Sequence, residues 1–321
     1  MHGRHLTLEE REILAIRLAL GETKALVAQE LGCHPGTIRR ELKRNQMAGT
    51  YLPARAQALA DERRRSSKAP WKLERPDLAA FVKEGLREYW SPEEIAGRWR
   101  KDHPRSRREW VSHQCLYDWV WRQKDHGQGW HRYLRRAYKK RRKRQESPEK
   151  RGRIAGRVGI EERPAIVEKR TRLGDWESDR IEGSGSTASL ASHVERKSRY
   201  TVLAKLADGK AATFNECTIQ AFERHGGLPL RTTTADNGKE FAAHAELAAA
   251  LGLDVYFARP YHAWERGTNE NTNGLVRQFF PKGLDLRPVQ PRQVIHVEHL
   301  LNNRPRKCLG YRTPLEVLRR L

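Results

Sequence analysis

Cysteine is scarce in this chain. The 321 residues include four (Cys33, Cys115, Cys217, Cys308), scattered and without a CxxC pair. That argues against a disulfide framework and against a structural zinc site. Long apolar runs are missing too. No stretch approaches the roughly 18 apolar residues that span a bilayer, so a membrane span is excluded. The opening MHGRHLTLEEREIL has no apolar core of a signal peptide, and a protein of the cytoplasm, or of a nucleus if the host has one, is expected. Acidic residues are outnumbered: 40 Asp+Glu stand against 63 Lys+Arg, a net charge of +23. Hydrophobic residues make up only 37%, yet nine Trp and nine Tyr are among them. Such a chain can build cores, and a wholly disordered basic tail is excluded.

A charge of +23 calls for a polyanionic partner. No long basic amphipathic helix with a bulky apolar face is evident, which argues against a membrane surface and for nucleic acid. Residues 1–150 hold 35 basic and 20 acidic residues, and residues 151–321 hold 28 and 20. The excess leans toward the N-terminal half, as expected of a nucleic-acid-binding front and a more balanced rear.

Residues 6–44 read as three helices. Thr7-Leu-Glu-Glu10 is a capping box that starts the first. A second runs over about 23–31, and a third opens at Pro35 after Gly32-Cys33-His34. Helix, short glycine-containing turn, helix is the helix-turn-helix pattern. On the third helix Ile38 and Leu42 point inward. Thr37, Arg39, Arg40, Lys43 and Arg44 are the candidate DNA-contact residues, with Gly36 allowing close approach. A small bundle with a solvated charged face is the plainer alternative. A polar basic stretch, Asp61–Lys68, leads to a second such unit. Ser91-Pro-Glu-Glu94 starts a helix over 92–101, and Ser112 caps another that buries Leu116, Trp119 and Val120. Gln114, Tyr117 and Arg122 lie on its outer face. The run Arg135–Arg144 has eight basic residues in ten. Arg135, Arg136, Lys139, Lys140, Arg141 and Arg142 are candidates for the phosphate backbone, against a merely solvated run.

The rhythm changes from about residue 166. Residues 176–181, 188–194 and 199–206 read as strands of an antiparallel meander. A helix over 211–224, a strand over 231–234, a helix over 242–251 and a strand over 254–257 follow. A loop over 259–267 then enters a long helix. The expected fold class is multidomain. An all-α tandem helix-turn-helix region (1–66 and 67–130) and a basic linker (131–165) precede an α/β RNase H-like catalytic domain (166–321). That last domain has a mixed five-stranded sheet flanked by helices.

Three acids stand where such a topology uses them: Asp179 on the first strand, Asp236 ending the fourth, and Glu270 on the late helix. They are separated by 56 and 33 residues. Converging carboxylates repel unless hard divalent cations, Mg²⁺ or Mn²⁺, join them. Two such ions suit phosphodiester chemistry. Asn273, Gly274 and Arg277 share the face of Glu270, while Leu275, Val276 and Phe279 face the other way to pack on the sheet. Solvated helix charges are the plainer reading of Glu270 and Arg277. Asp175, Glu177 and Asp179 share one strand face, and the sequence alone does not choose among them. Glu182, Glu240 and Glu265 are further acids nearby.

The stretch Glu265-Arg-Gly-Thr-Asn-Glu-Asn-Thr-Asn-Gly-Leu-Val-Arg-Gln-Phe-Phe-Pro-Lys-Gly283 closely resembles the signature of bacterial insertion-sequence transposases of the IS30 family, within the DDE transposase and retroviral-integrase superfamily. Gly174-Asp-Trp-Glu-Ser-Asp179, Thr234-Ala-Asp-Asn-Gly-Lys-Glu-Phe241, residues 301–316 and Trp90-Ser-Pro-Glu-Glu-Ile-Ala-Gly-Arg-Trp99 extend the resemblance over nearly the whole chain. The resemblance implies that Asp179, Asp236 and Glu270 are the catalytic and metal-binding triad. It implies an RNase H-like core that cuts and joins double-stranded DNA with a pair of Mg²⁺ or Mn²⁺ ions. The partners would be the element's inverted repeats and a target duplex, handled by a homodimer or larger assembly, with no membrane and no small-molecule substrate. A DNA-binding regulator with an inactive RNase H-like domain is the rival expectation.

Overall fold

The computed structural model describes residues 5–47, 49–66, 72–135, 154, 156–184, 188–259 and 262–319. They form two compact units, residues 1–74 and 75–321.

The first unit holds α1 (Leu8–Ala19), α2 (Lys24–Glu30), α3 (Pro35–Asn45) and α4 (Pro53–Ser66). Thr7 and Glu10 close the expected capping box on α1. Thr23 caps α2, and Pro35 opens α3. Leu14, Val27, Ala28, Ile38 and Leu42 form the core between these helices. Arg39, Arg40, Lys43 and Arg44 are exposed and Thr37 is half-buried. The polar basic stretch Asp61–Lys68 is helical as far as Ser66, as the end of α4. That helix, rich in strong helix formers, carries no apolar stripe. It is held instead by polar ties. Arg11, 2% exposed, donates to Gln57, and Arg63 donates to Asn45.

The second unit begins with α5 (Pro76–Arg87), α6 (Pro92–Asp102) and α7 (His113–Asp125). The Ser91/Glu94 capping box and the Ser112 cap form as the sequence indicates. Leu116, Trp119 and Val120 are buried. Gln114 and Arg122 are exposed. Tyr117 is half-buried rather than outward, and burial, with the charges of Glu93 and Glu94 on α6, raises its pKa.

The helices α5 to α7 belong to the same unit as the sheet. Arg304 Nε donates to Glu94 at 2.8 Å, Arg98 pairs with Glu316, and Tyr89 packs edge-on against Phe279. Gly97 on α6 lies flat against the Tyr311 ring, and a Cβ there would overlap the ring. The sequence needs a glycine in this helix despite its cost to helix propensity. Gly97→Ala is expected to destabilise the chain by about 1–3 kcal/mol, the usual cost of overpacking. Chemical denaturation would measure it, and an unchanged midpoint would refute the contact.

The rest is a six-stranded sheet. Its strands are β1 (Val158–Gly159), β2 (Asp175–Glu182), β3 (Ser189–Glu195), β4 (Thr201–Leu206), β5 (Thr232–Ala235) and β6 (Asp254–Phe257). The spatial order is β1-β6-β5-β2-β3-β4. β2, β3 and β4 form the antiparallel meander, and β5 and β6 add in parallel to β2. The five expected strands are present. A sixth, two residues long, lies in the segment read as linker and pairs in parallel with β6.

Between them run α8 (Ala165–Lys169), α9 (Ala211–His225), α10 (His244–Leu251), α11 (Gly267–Phe279), α12 (Pro291–Asn302) and α13 (Pro314–Leu318). One core joins the sheet to α9 and α10 through Trp176, Val202, Phe214, Phe222 and Phe241. The other joins it to α11 and α12 through Ile181, Leu203, Leu275, Val276 and Leu301. Val202 and Leu203 are neighbours that serve opposite cores, as strand alternation requires. Among the described residues no helix is long and apolar enough to cross a membrane.

Candidate active site

The same alternation sorts β2. Its even residues face α9. Trp176 is fully buried against Phe222, and Ser178 bonds to His193 and Thr233. Burial lowers the pKa of His193 to about 3, so the imidazole is neutral and structural. The odd residues, Asp175, Glu177, Asp179 and Ile181, face α11.

The register of the parallel pair β2/β5 then sets the site. Asp175 lies opposite Thr232 and Glu177 opposite Thr234. Two residues further along each chain, Asp179 stands beside Asp236, just past the end of β5. The loop there is pinned: Asn237 Nδ2 donates to the Ala258 carbonyl, and Gly238 N donates to Asp236 Oδ1 at 2.9 Å. A Cβ on Gly238 would meet the Glu240 carboxyl, which would have to shift to admit it.

The three acids of β2 have different partners, which decides what the sequence leaves open. Asp175, 1% exposed, takes a bidentate pair from Arg172 and a bond from Thr232. Glu177, 0% exposed, accepts from Arg196 Nη1 at 2.9 Å and from the backbone N–H of Asn269 at 2.8 Å. It therefore caps the start of α11. Asp179 is the one that reaches a partly open position, its side chain 23% exposed. Asn273 Nδ2 donates to its Oδ2 at 2.8 Å and Arg180 N to its Oδ1 at 2.9 Å.

Helix α11 is tied down over these groups. Asn269 Nδ2 reaches the carbonyls of Glu177 and Ser192. Ser192 Oγ lies 2.7 Å from Asn269 Oδ1 and 2.6 Å from Asn273 Oδ1, one hydroxyl shared between two amides. Leu275 and Val276 are buried on the sheet side, as expected. Phe279 is half-buried. Glu270 is exposed in the first turn of α11, one turn before Asn273. Residues three apart on a helix are neighbours on its surface, so Glu270 stands next to the amide that holds Asp179.

Asn273 is thus a ligand of Asp179. Arg277 Nη2 donates to the Glu182 carbonyl, and burial lowers its pKa. Arg135 Nη2 donates to the Gly274 carbonyl across the gap that glycine leaves. Of the other acids, Glu182 and Glu240 pair with Arg180, and Glu265 accepts from Arg259 N. Arg136, Lys139, Lys140, Arg141 and Arg142 lie outside the described residues.

One functional group escapes a sequence reading that looks only for acids. Arg266, four residues before Glu270, places its guanidinium 3.3 Å from both Asp179 Oδ1 and Asp236 Oδ2. Its presence inside the Glu265–Gly283 stretch is the only local signal. Burial raises the pKa of Asp179, repulsion from Asp236 adds to it, and the Arg266 charge opposes it. For Arg266 burial favours the neutral form, and the two aspartates outweigh it, leaving its pKa raised. Burial also raises the pKa of Glu240, with Asp236 and Asp179 adding repulsion.

A strand pair that presents two aspartates at one level, with a glutamate-bearing helix clamped across them, fits an RNase H-like core. Comparison with known proteins agrees. Residues 2–45 match the helix-turn-helix domain family and residues 171–263 the integrase core domain family. The chain is 39% identical to the transposase for insertion sequence element IS4351 of Bacteroides fragilis, over 99% of this chain and 97% of that one. It is 39% identical to the transposase for IS1086 of Cupriavidus metallidurans, over 97% and 93%. It is 34% identical to transposase InsI for IS30A of Escherichia coli, over 98% and 84%. The chain belongs to the IS30 family of transposases.

Transposases with an integrase core generally work with divalent metal ions. Among the described residues no group of three or more His, Cys, Asp or Glu side chains converges as a ready ion cage. The fit to a divalent ion rests on the pair: the carboxylates of Asp179 and Asp236 are hard oxygen donors already converging on one cation, Arg266.

Proposed function

We propose that this transposase binds the terminal inverted repeats of its element, hydrolyses a phosphodiester at the element end to free a 3′-OH, and directs that hydroxyl onto a target phosphodiester. The observation that carries this reading is the β2/β5 register, which sets Asp179 beside Asp236 under a helix bearing Glu270. Asp179, Asp236 and Glu270 would hold the divalent ions, Mg²⁺ or Mn²⁺ in a pair. Bound there, such ions supply an activated water or hydroxyl nucleophile and steady the departing oxygen. The chain's own residues do the positioning. Asn273 turns Asp179 toward the site, Glu177 and Asn269 fix the start of α11, and the Gly238 amide orients Asp236.

The proposed division of labour follows the chain. Residues 1–66 read one part of the end through Thr37, Arg39, Arg40, Lys43 and Arg44. Residues 67–130 read another through Gln114, Tyr117 and Arg122. The basic run within residues 131–165, with Arg135, Arg136, Lys139, Lys140, Arg141 and Arg142, rides the phosphate backbone. Residues 166–321 carry out the chemistry, with Arg277 offering its remaining donors to DNA. Because the α6/α7 pair is fixed to the catalytic body through Arg304–Glu94 and Arg98–Glu316, DNA held on α7 has a defined register relative to the carboxylates. Two ends must be handled together, so a homodimer or larger assembly on DNA is part of the proposal.

The test uses a labelled duplex bearing an end of the element that encodes the chain, with Mg²⁺. A nicked product with a free 3′-OH, followed by joined products, is expected. Binding without any cleavage in Mg²⁺ or Mn²⁺ would refute the reading. In the same system Arg40→Ala and Lys43→Ala should each weaken end binding and lower the slope of log affinity against log salt by about 1, the effect of one lost phosphate contact. An unchanged slope for both would remove α3 from the DNA interface.

A further inference from the structure

Arg266 deserves a role of its own. Its side chain is 14% exposed and it closes the turn into α11. Nη1 faces Asp179 Oδ1 and Nη2 faces Asp236 Oδ2, each at 3.3 Å, and Nη1 also approaches the Ser178 carbonyl at 3.4 Å. These separations are long for charge-assisted bonds, which run at about 2.7–2.9 Å. The neighbouring bidentate pair Arg172–Asp175 shows the tight form, with both bonds at 2.9 Å.

The aspartates take their orientation from elsewhere. Asn273 and the Arg180 amide hold Asp179, and the Gly238 amide holds Asp236. The guanidinium neutralises the pair without being what orients it. When it leaves, each aspartate still keeps a holder of its own. A purely structural arginine on this strand face, Arg196, is built the other way. It is 1% exposed and closes at 2.9 Å on a carboxylate that is itself fully buried.

The geometry points to Arg266 as a stand-in counter-ion: it neutralises Asp179 and Asp236 in the metal-free chain, yields that position when a divalent cation enters, and then serves as a phosphate-binding group for the DNA strand at the cut. The inference rests on the proposed assignment of Asp179 and Asp236 as the metal-binding pair. A planar fork of donors suits a phosphate diester as well as it suits two carboxylates. The handover keeps a positive charge at the site in both states. The bare chain avoids two unscreened half-buried carboxylates, and the displaced arginine is already beside the place where a DNA phosphate must sit.

The experiment uses the full chain, without DNA at first, and Mn²⁺ as the probe. Calorimetric titration of Arg266→Ala should show Mn²⁺ binding tightened on the order of tenfold over the native chain, since the competitor is gone. Thermal unfolding should show a lowered midpoint without metal that saturating Mn²⁺ restores to the native metal-loaded value. A merely structural arginine gives the opposite pattern, with Mn²⁺ binding unchanged or weaker and a midpoint that metal does not rescue. Either of those results overturns the proposal.

If Arg266→Ala does not fold, Arg266→Gln keeps the stem and donors without the charge, and the same tightening is required of it. A second arm measures binding of a nicked element end in Ca²⁺, where Arg266→Gln should lose several-fold in affinity. No loss overturns the phosphate role. Asp179→Asn separates this inference from the reading beneath it. If Asp179→Asn binds Mn²⁺ as tightly as the native chain, the metal assignment fails. If Asp179→Asn loses binding and Arg266→Ala does not gain it, the assignment stands and the stand-in role fails.

Discussion

Replacing Asp179 or Asp236 with asparagine should lower both cleavage and strand joining by at least about a thousandfold, or ~4 kcal/mol in the transition state, while binding of the element end stays near native. The change keeps the size of the side chain and an oxygen for the amides of Arg180 or Gly238. What disappears is one negative charge from a pair that faces a single cation. The fold should survive, because each aspartate is partly open and part of what it gains from Arg266 is offset by repulsion from its neighbour. Glu270→Gln should be as damaging to catalysis and even more neutral to folding, since Glu270 is exposed on the first turn of α11. Gel assays on labelled ends, with circular dichroism as a folding control, would measure all three. Full activity in all three variants would sink the site assignment.

The largest effect on stability should come from a residue two positions away. Glu177→Ala takes from Arg196, 1% exposed, its buried partner, leaving it only the exposed Glu168, and leaves the Asn269 N–H without an acceptor. Breaking one side of a buried ion pair costs about 3–5 kcal/mol, a large share of the 5–15 kcal/mol that holds a typical domain together. The double replacement Glu177→Leu with Arg196→Leu should recover much of that loss, because apolar residues of similar volume often replace a buried pair at little cost. It should not recover activity. The start of α11 still lacks its cap, and Glu270 rides on that turn. Urea unfolding beside the cleavage assay separates the two effects. A Glu177→Ala chain within 1 kcal/mol of native would show that the pair contributes little.

Much of the architecture was legible because its signals are local. Capping boxes at Thr7 and Ser91, the helix opened by Pro35 and the alternation along β2 to β4 each depend on a few neighbouring residues. The five longer strands and the helices between them follow the same periodicities. Less legible was α4, whose side chains bear no apolar stripe and whose polar ties reach back to α1 and α3. The two-residue β1 was invisible for a related reason. It is a strand only because β6 offers a parallel edge to it.

The active site divides in the same way. The sequence by itself determined that this is a basic chain with a helix-turn-helix front and an acid-bearing α/β rear. Through a resemblance it also singled out Asp179, Asp236 and Glu270, the acids proposed as the site. Which acid of Asp175, Glu177 and Asp179 is open to the site, and which caps a helix or feeds an ion pair, was decided only by tertiary structure. So was the place of Arg266 between two aspartates far apart in the chain. A carboxylate carries the same chemistry in any sequence. Its function is set by the group that faces it, and that group is fixed by strand register and by the crossing of α11 over the sheet.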